Sequence, residues 1–326
     1  MKVDVFEDEV YLEKMEKTVK PWLDENLFSG YCPGKNNFRL HYLRLLQKEN
    51  ARGTLVILHG FCGFSGKFHE LMYYFYNEGY NIFFLEQRGH GYSGREIDDP
   101  SLIHVHDFMD YVEDLKVFMD ETVKKEEPNG PYYLYAHSMG GLVAALFLEN
   151  YPGYFTKSIL SSPMLGIDFG KFPDPVVSML AIYADLAGKE KNYLPGHKPW
   201  NGAYSFSTSN TSCEPRSLYQ FRLREQDTHY QTCAGTYGWA ITSREHSQVV
   251  VRDACNIDIP VLIVQAKDDT MVENKDQDAF VKVAPHARLC VMNNTKHEIY
   301  NAAADVIRIY YDIMFAFLLN NNEEDI

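Results

Sequence analysis

Ser138 lies in the stretch Ala-His-Ser-Met-Gly, residues 136–140, with small residues two positions before and two positions after the serine. A strand that turns abruptly into a helix needs small residues at these two positions, because larger side chains would collide with neighbouring backbone. An apolar run precedes the serine and an apolar helical run follows it. The pattern predicts that Ser138 is a nucleophile, and the alternative is a structural serine where a strand meets a helix.

A serine nucleophile needs a carboxylate and a histidine, which in hydrolases of this architecture follow it in that order. The strand pattern of residues 260–269 ends in Asp268 and Asp269, where open α/β sheets collect catalytic groups. One aspartate is predicted to be the acid and the other a turn or cap residue. His297, in a loop before the last helical pattern, is the predicted base. His286 precedes its strand and is expected at the wrong end of the sheet.

Attack by the serine on a carbonyl builds an oxyanion, which needs two preorganised N–H donors, each worth roughly 3 kcal/mol. The amide of Met139, the residue after the nucleophile, is one predicted donor. The other is the amide of Phe61, in the loop of residues 59–66 that follows an early strand pattern. His59 and Gly60 are predicted to be structural residues of this loop.

The order of elements predicts the fold that positions these groups. Between the strand patterns lie helical patterns such as residues 108–119, with apolar residues on one face. This alternation predicts an α/β fold with a mostly parallel central sheet flanked by helices. The last helical pattern, about residues 299–319, is apolar enough to predict packing on the sheet. The near-continuous apolar runs, typical of strands buried on both faces, are residues 54–60, 81–87, 132–138, 158–164 and 260–269.

The alternation is interrupted from about residue 167 to residue 244, where Pro, Gly, Ser, Thr and Tyr are frequent. Only short helical patterns occur there, such as residues 176–188 and 217–226. An irregular insertion of this length inside an α/β domain is more often a functional lid than a spacer. We therefore expect a core of residues 1–166 and 245–326 and a largely helical cap of residues 167–244.

Charge and cysteine usage exclude several classes of protein. The 326-residue chain carries a formal net charge of -14 and no long Lys/Arg run, which argues against nucleic acid and for at most peripheral membrane contact. No signal peptide and no apolar run of membrane-spanning length is found. Six scattered cysteines without a CxxC pair suit a reduced, cytoplasmic protein. The oligomeric state stays open.

The pattern HVHDF, residues 104–108, mimics a metal-binding run but lacks the further ligands of a zinc site, so no metal is predicted.

Jointly and in this order, these segments resemble the α/β-hydrolase superfamily, and within it the bacterial lysophospholipase and monoacylglycerol lipase-like hydrolases, grouped with serine aminopeptidase-like domains. The resemblance implies a triad of Ser138, Asp269 and His297. It also implies that Arg88 and His90, in the stretch of residues 86–95, are structural. Asp269 is preferred over Asp268 because it occupies the acidic position of the family's G-x-x-D pattern, with Ala266 in place of the glycine. The matching segments are LHGFCGFSGKF (58–68), EQRGHGYSGR (86–95), YAHSMGGLVA (135–144), SSPMLGI (161–167), TYGWAITS (236–243), PVLIVQAKDDTMV (260–272) and KHEIYNA (296–302).

The resemblance implies a serine hydrolase that cleaves the ester of a lysophospholipid or a monoacylglycerol through an acyl-enzyme, without a cofactor. Gly63 and Phe64 stand where many monoacylglycerol lipases carry Glu-His, which favours the lysophospholipase-like branch. A small-molecule esterase and an aminopeptidase with the same triad remain alternatives. The aminopeptidase would need a cap carboxylate for the substrate's amine, and the candidates are Asp185, Glu190, Glu214 and Glu225. A catalytically silent, ligand-binding hydrolase fold would lack a triad member, and none is missing.

Overall fold

The computed structural model describes residues 3–167, 179, 184 and 186–320. Within this part of the chain, all strands except β5 and β8 form one sheet in the order β1-β2-β4-β3-β6-β7-β9-β10, and β5 pairs with β8 in a small second sheet. The ranges are β1 Phe28–Pro33, β2 Arg39–Leu45, β3 Thr54–Leu58, β4 Asn81–Glu86, β5 Leu102–Ile103, β6 Tyr132–His137, β7 Lys157–Ser161, β8 Ala234–Gly235, β9 Val261–Ala266 and β10 Ala287–Met292. Strand β2 pairs antiparallel with both neighbours, and the pairs from β4 to β10 are parallel. The predicted α/β fold is confirmed.

Helices cover both faces of the large sheet. Short 3₁₀ turns and two π turns, Met15–Val19 and Met119–Val123, join or extend several of them. The helices in the described residues are α1 Tyr11–Lys14, α2 Lys20–Asn26, α3 His69–Asn77, α4 Met109–Phe118, α5 Lys124–Glu126, α6 Met139–Asn150, α7 Glu214–Gln226, α8 Tyr237–Asp253, α9 Asn274–Val283 and α10 Ala304–Leu319.

Strand β3 shows why the central strands are continuously apolar. Alternate side chains of a strand point to opposite faces of the sheet. Val56 and Leu58 join the apolar cluster that contains α4 and α6, whereas Leu55 and Ile57 join the cluster that contains α3 and α10. Because both faces are covered, every position of β3 is buried.

The last predicted helix packs on the sheet as expected but begins later than the pattern indicated. A 3₁₀ turn, Ile299–Asn301, comes first, and α10 begins only at Ala304 after extended backbone at Ala302 and Ala303. Asp8 accepts a hydrogen bond from the Ala304 amide at 3.0 Å, which satisfies a free amide at the helix start. The contact joins residues far apart in the chain, so apolar periodicity could not show where α10 begins.

The predicted cap is described only in part. Residues 168–178, 180–183 and 185, with most of the predicted helical pattern at 176–188, lie outside the described residues. The predicted helix at 217–226 is confirmed as part of α7. Helix α8 runs without a break across the predicted boundary between residues 244 and 245, and the division into core and cap stays a prediction.

A buried arginine fixes α7 to the rest of the molecule. The Arg216 guanidinium donates two hydrogen bonds of 2.9 Å to the Glu70 carboxylate on α3. It also pairs with Asp8 and donates to the Phe6 carbonyl at 3.0 Å. Removing one partner of a buried pair leaves an uncompensated charge and typically costs about 3–5 kcal/mol. The cluster therefore holds α7 firmly against α3 and the N-terminal segment.

The same interface contains a half-buried histidine that makes stability depend on pH. His69 begins α3, its Nδ1 lies 2.9 Å from the hydroxyl of Tyr219 on α7, and burial lowers the pKa of His69 from 6.5 to about 4. Between these two values the unfolded chain binds more protons than the folded one. The stabilisation by neutral His69 is therefore full above pH 6.5 and is lost as the pH falls to about 4.

We expect the stability advantage of the wild type over His69→Asn to shrink by about 3 kcal/mol between pH 7 and pH 4, since each pKa unit corresponds to about 1.4 kcal/mol. Urea unfolding at a series of pH values measures this difference. The control is His106→Asn, at an exposed position. The free energy of unfolding of this variant should not show such a pH-dependent difference from that of the wild type. A pH-independent difference for His69→Asn would contradict the assignment.

Candidate active site

Ser138 occupies the turn between β6 and α6 with φ 54° and ψ -119°, a conformation that non-glycine residues seldom adopt. Its amide donates to the Ser161 carbonyl at 3.1 Å, at the end of β7. Its carbonyl accepts from the amides of Gly141 at 2.8 Å and Met164 at 2.9 Å. The ends of two neighbouring strands and the start of α6 therefore hold the turn in place.

Close backbone contacts explain the small residues around the serine. A Cβ atom on Gly140 would lie 2.6 Å from the His59 carbonyl oxygen, and one on Gly60 would lie 2.8 Å from the Ser138 Cβ. Both distances are too short for a side chain. Ala136, at the position where glycine is usual, is fully buried and pairs in register with Leu58 of β3. The structure thus accommodates a methyl group at 136 but none at 140.

Ser138, His297 and Asp269 are joined by hydrogen bonds. His297 Nε2 lies 2.8 Å from the Ser138 Oγ, and His297 Nδ1 lies 2.7 Å from the Asp269 Oδ2. Since a carboxylate only accepts, the Nδ1–H donates to Asp269 and Nε2 is left to accept the serine proton. The three side chains come from the loops after β6, β9 and β10, which end at the same edge of the sheet.

The two aspartates after β9 have different environments. The Asp269 side chain is fully buried, and its Oδ1 accepts from the amides of Met271 at 2.8 Å and Val272 at 3.3 Å. Asp268 is exposed, and its amide donates to the Thr295 carbonyl at 3.0 Å. Asp269 is therefore the aspartate that can orient a histidine.

His286, the other histidine after the aspartates, immediately precedes β10. Its carbonyl accepts from the amide of Val261, the first residue of β9. It therefore lies at the amino ends of these parallel strands, opposite the edge that carries Ser138, as predicted.

The loop of residues 59–66 is fixed by His59. The His59 Nδ1–H donates to the Gly60 carbonyl at 2.8 Å, and Nε2 accepts from the Gln87 amide at 3.0 Å. The Gln87 side chain donates in turn to the His59 carbonyl at 2.6 Å. Burial lowers the pKa of His59 to about 4, so the ring is neutral, as this bonding pattern requires. The predicted structural role of His59 is confirmed.

The stretch of residues 86–95 supports the same loop from outside. His90 Nε2 accepts from the Cys62 amide at 3.2 Å, and its Nδ1–H donates to the Arg88 carbonyl at 3.0 Å. The Arg88 guanidinium forms a two-bond contact with the Asp114 carboxylate, at 2.7 and 2.9 Å. The structural roles predicted for Arg88 and His90 are confirmed.

The amides of Phe61 and Met139 are the predicted oxyanion donors. Met139 is the first residue of α6, and the first amides of a helix have no partner within it. Among the described residues neither amide donates to another group, whereas the neighbouring amides of Cys62 and Gly63 are both bonded. The Phe61 ring stacks on Trp239 of α8, with centroids 4.0 Å apart, which restricts the loop further.

Several contacts of the site were not predicted from the sequence. Glu298, next to His297, forms a buried ion pair with Lys67 of the 3₁₀ turn Ser65–Phe68. Burial alone would raise the pKa of Glu298, but the Lys67 charge and hydrogen bond lower it below its usual value. His137 packs against the His297 ring with centroids 4.8 Å apart, and burial, with His297 next in effect, keeps the His137 pKa well below its usual value. In the sequence, His137 and Glu298 are marked only by adjacency to Ser138 and His297, and no pattern marks Lys67.

Other predicted features can be located as well. His104, from the HVHDF pattern, forms a 2.9 Å hydrogen bond with the Thr236 hydroxyl, and no group of three or more His, Cys, Asp or Glu side chains is placed to hold a metal in the part of the chain described.

All six cysteines are described and are free thiols. None of the helices seen in residues 3–167 and 186–320 has the length and hydrophobicity needed to cross a bilayer.

The fold and the site define an α/β hydrolase of the serine type. The family model of serine aminopeptidase S33 matches residues 49–303, and the chain belongs to this family. A probable lysophospholipase L2 of Haemophilus influenzae is 31% identical over 277 residues, 84% of this chain and 87% of that protein. Lysophospholipase L2 of Escherichia coli is 29% identical over 297 residues, 85% and 82% of the two chains. The family resemblance is confirmed.

Solved structures share the fold at low identity. A soluble variant of monoglyceride lipase from Saccharomyces cerevisiae has a TM-score of 0.69 at 18% identity, covering 90% of this chain and 95% of that chain. A carboxyl esterase from Bacillus coagulans has a TM-score of 0.72 at 16% identity, covering 90% and 98%. At these identities the structures establish the fold alone.

Proposed function

We propose that this protein is a serine hydrolase that cleaves the carboxylic ester of a single-acyl lipid, with Ser138 as nucleophile, His297 as base and Asp269 as orienting acid. The observation that carries the proposal is the hydrogen-bonded series from Ser138 through His297 to Asp269, at 2.8 and 2.7 Å. Relatives named lysophospholipase L2 and monoacylglycerol lipase support a lipid ester as the substrate class.

In the first step the Ser138 oxygen attacks the ester carbonyl while His297 Nε2 takes the hydroxyl proton. Asp269 holds the Nδ1–H and stabilises the imidazolium that forms. The amides of Phe61 and Met139 donate to the oxyanion, and loss of one such donor typically reduces kcat by about 10²–10³-fold. His297 then gives its proton to the leaving alcohol, which leaves an acyl-enzyme.

In the second step the same groups act on water. His297 takes a proton from the water, the hydroxide attacks the acyl carbonyl, and the Ser138 oxygen recovers its proton as the fatty acid leaves. All proton transfers use His297, so the mechanism requires no cofactor.

We place the substrate beneath the proposed cap of residues 167–244. Trp239 lies against Phe61, the Glu298 amide donates to the Asn210 carbonyl at 3.0 Å, and Lys296 donates to the Ser209 carbonyl at 3.1 Å. These contacts support a cap that borders both the oxyanion loop and the His297 loop. Six free cysteines favour a reducing compartment, and we propose the cytoplasm.

An aminopeptidase activity on the same triad has less support. Asp185 lies outside the described residues, Glu214 and Glu225 are exposed, and the Glu190 carbonyl accepts from the Gly238 amide. None of the three described candidates borders the cavity that lies beside the loop of residues 59–66. Glu298, the carboxylate described on that wall, is already paired with Lys67.

A substrate panel distinguishes the two activities. We expect kcat/KM for long-chain monoacylglycerols and lysophospholipids to exceed that for aminoacyl amides, because the described cavity wall offers no free carboxylate for an amine. The measurement is the release of free fatty acid or amine by the purified enzyme under identical conditions. Preference for the aminoacyl amides would contradict the proposal.

Adjacent aspartates provide a matched pair of variants. Asp269→Asn should lower kcat by about 10⁴-fold, as removal of the orienting charge does in related triads, while Asp268→Asn should retain wild-type activity because that side chain is exposed. Steady-state hydrolysis of one monoacylglycerol measures both, and circular dichroism checks that both variants are folded. Equal losses, or a larger loss for Asp268→Asn, would show that Asp269 is not the acid.

A further inference from the structure

A cavity of about 530 Å³ lies between the predicted cap and the part of the core that follows the oxyanion loop. Helix α7 forms one wall and the loop of residues 196–210 another. The side chains on which the inference rests are Phe64 and Lys67 of the core, Glu298 beside His297, Gln220 and Arg224 of α7, and Lys198.

The wall of this cavity is positively charged. Its described charged side chains are Lys67, Lys198, Arg224 and Glu298, and Glu298 is already paired with Lys67. In the described part of the chain, Lys198 and Arg224 have no carboxylate partner. A net positive cavity is notable in a chain whose formal net charge is -14, since the chain as a whole repels anions.

Contacts fix the position of the Arg224 side chain, but no described carboxylate neutralises its charge. Its Nη2 donates to the Cys62 carbonyl at 2.9 Å, and its guanidinium lies 5.3 Å from the centroid of the Phe64 ring. Among the described residues its other N–H groups have no acceptor. A guanidinium carries five N–H donors in a fixed plane, so most of its capacity remains for a ligand.

Two further polar groups on the wall have no partner. Gln220 is 9% exposed, and its Nε2 is a buried donor without an acceptor among the described residues. The buried hydroxyl of Tyr204, which also lines the cavity, has no hydrogen-bond partner there either. A buried donor without a hydrogen bond costs free energy, which is why most buried donors are paired. The accessible charged groups of the wall, Arg224 and Lys198, are those that an anionic ligand would contact first, and the Gln220 and Tyr204 donors become available to its oxygens only if their side chains shift.

We propose that this cavity binds the phosphate of the substrate's head group, so that the preferred substrate is a lysophospholipid and not a monoacylglycerol. A phosphate diester offers anionic oxygens that match a guanidinium and neutral N–H and O–H donors. Arg224 touches the carbonyl of Cys62, next to Phe61, and Glu298 follows His297. The cavity is thus bordered by Glu298, the chain neighbour of the proposed base, and by Arg224, which is bonded to the chain neighbour of the proposed oxyanion donor. The inference rests on the proposed function, because it assigns a head group to that reaction.

The test compares two substrates with the same acyl chain, 1-palmitoyl-lysophosphatidylcholine and 1-monopalmitoylglycerol, presented in the same detergent micelles. The quantity measured is the ratio of their kcat/KM values. Arg224→Gln should lower this ratio by about 10-fold or more, because a hydrogen bond to a charged group is lost. Arg224→Lys keeps the charge, and its ratio should lie between that of Arg224→Gln and that of the wild type. The control is Arg222→Gln, an exposed position on the same helix, which should leave the ratio unchanged.

A second variant covers the case in which Arg224→Gln does not fold. Gln220→Met removes the unpartnered amide, keeps the size of the side chain and should also lower the ratio. If the loss of Arg224 only displaced the oxyanion loop, kcat/KM would fall equally for both substrates and the ratio would not change. An unchanged ratio in the folded variants would overturn the proposal.

Binding measured without turnover separates failure of the inference from failure of the proposed function. The Ser138→Ala protein is titrated calorimetrically with glycerophosphocholine and with inorganic phosphate at matched ionic strength. Binding of glycerophosphocholine that Arg224→Gln weakens supports the head-group assignment. Binding of inorganic phosphate alone would overturn it in favour of a free-anion site. Wild-type protein that cleaves neither ester would refute the proposed function, while the titration still reports on the cavity.

Discussion

The backbone conformation of Ser138 determines where the other groups of the site must lie. A non-glycine residue held at φ 54° costs of order 1–3 kcal/mol, and the surroundings must offset that cost. The buried ends of β3, β6 and β7 and the apolar helix α6 do so, with Gly140 packed directly against the His59 carbonyl. The turn directs the serine hydroxyl toward His297 and presents the amide at the start of α6, so one local geometry positions both groups.

The direction of the strands explains how the other groups meet the serine. Strands β6, β7, β9 and β10 are parallel neighbours, so their carboxyl ends lie along one edge of the sheet. Asp269 follows β9 and His297 follows β10. The loops that follow these strands start at the edge that carries Ser138, which is why the order of strand patterns predicted three side chains that the structure joins by hydrogen bonds.

Sequence patterns failed where a contact joins distant parts of the chain. The choice between Asp268 and Asp269 came from family resemblance, because both follow the same strand, and only the structure shows one buried and the other exposed. The Arg216–Glu70 contact and the Arg224–Cys62 contact span 146 and 162 residues. No periodicity or motif relates such pairs, so the attachment of α7 and the charge of the cavity become visible only in three dimensions.

Ser138 is the proposed nucleophile, and covalent labelling identifies the reactive residue. The purified protein is treated with a fluorophosphonate probe, its intact mass is measured, and the modified peptide is sequenced by mass spectrometry. We expect one adduct, on Ser138, that is lost in Ser138→Ala and kept in Ser158→Ala, which removes a buried strand hydroxyl that has no hydrogen-bond partner among the described residues. No adduct, an adduct on another residue, or labelling that survives Ser138→Ala would contradict this assignment.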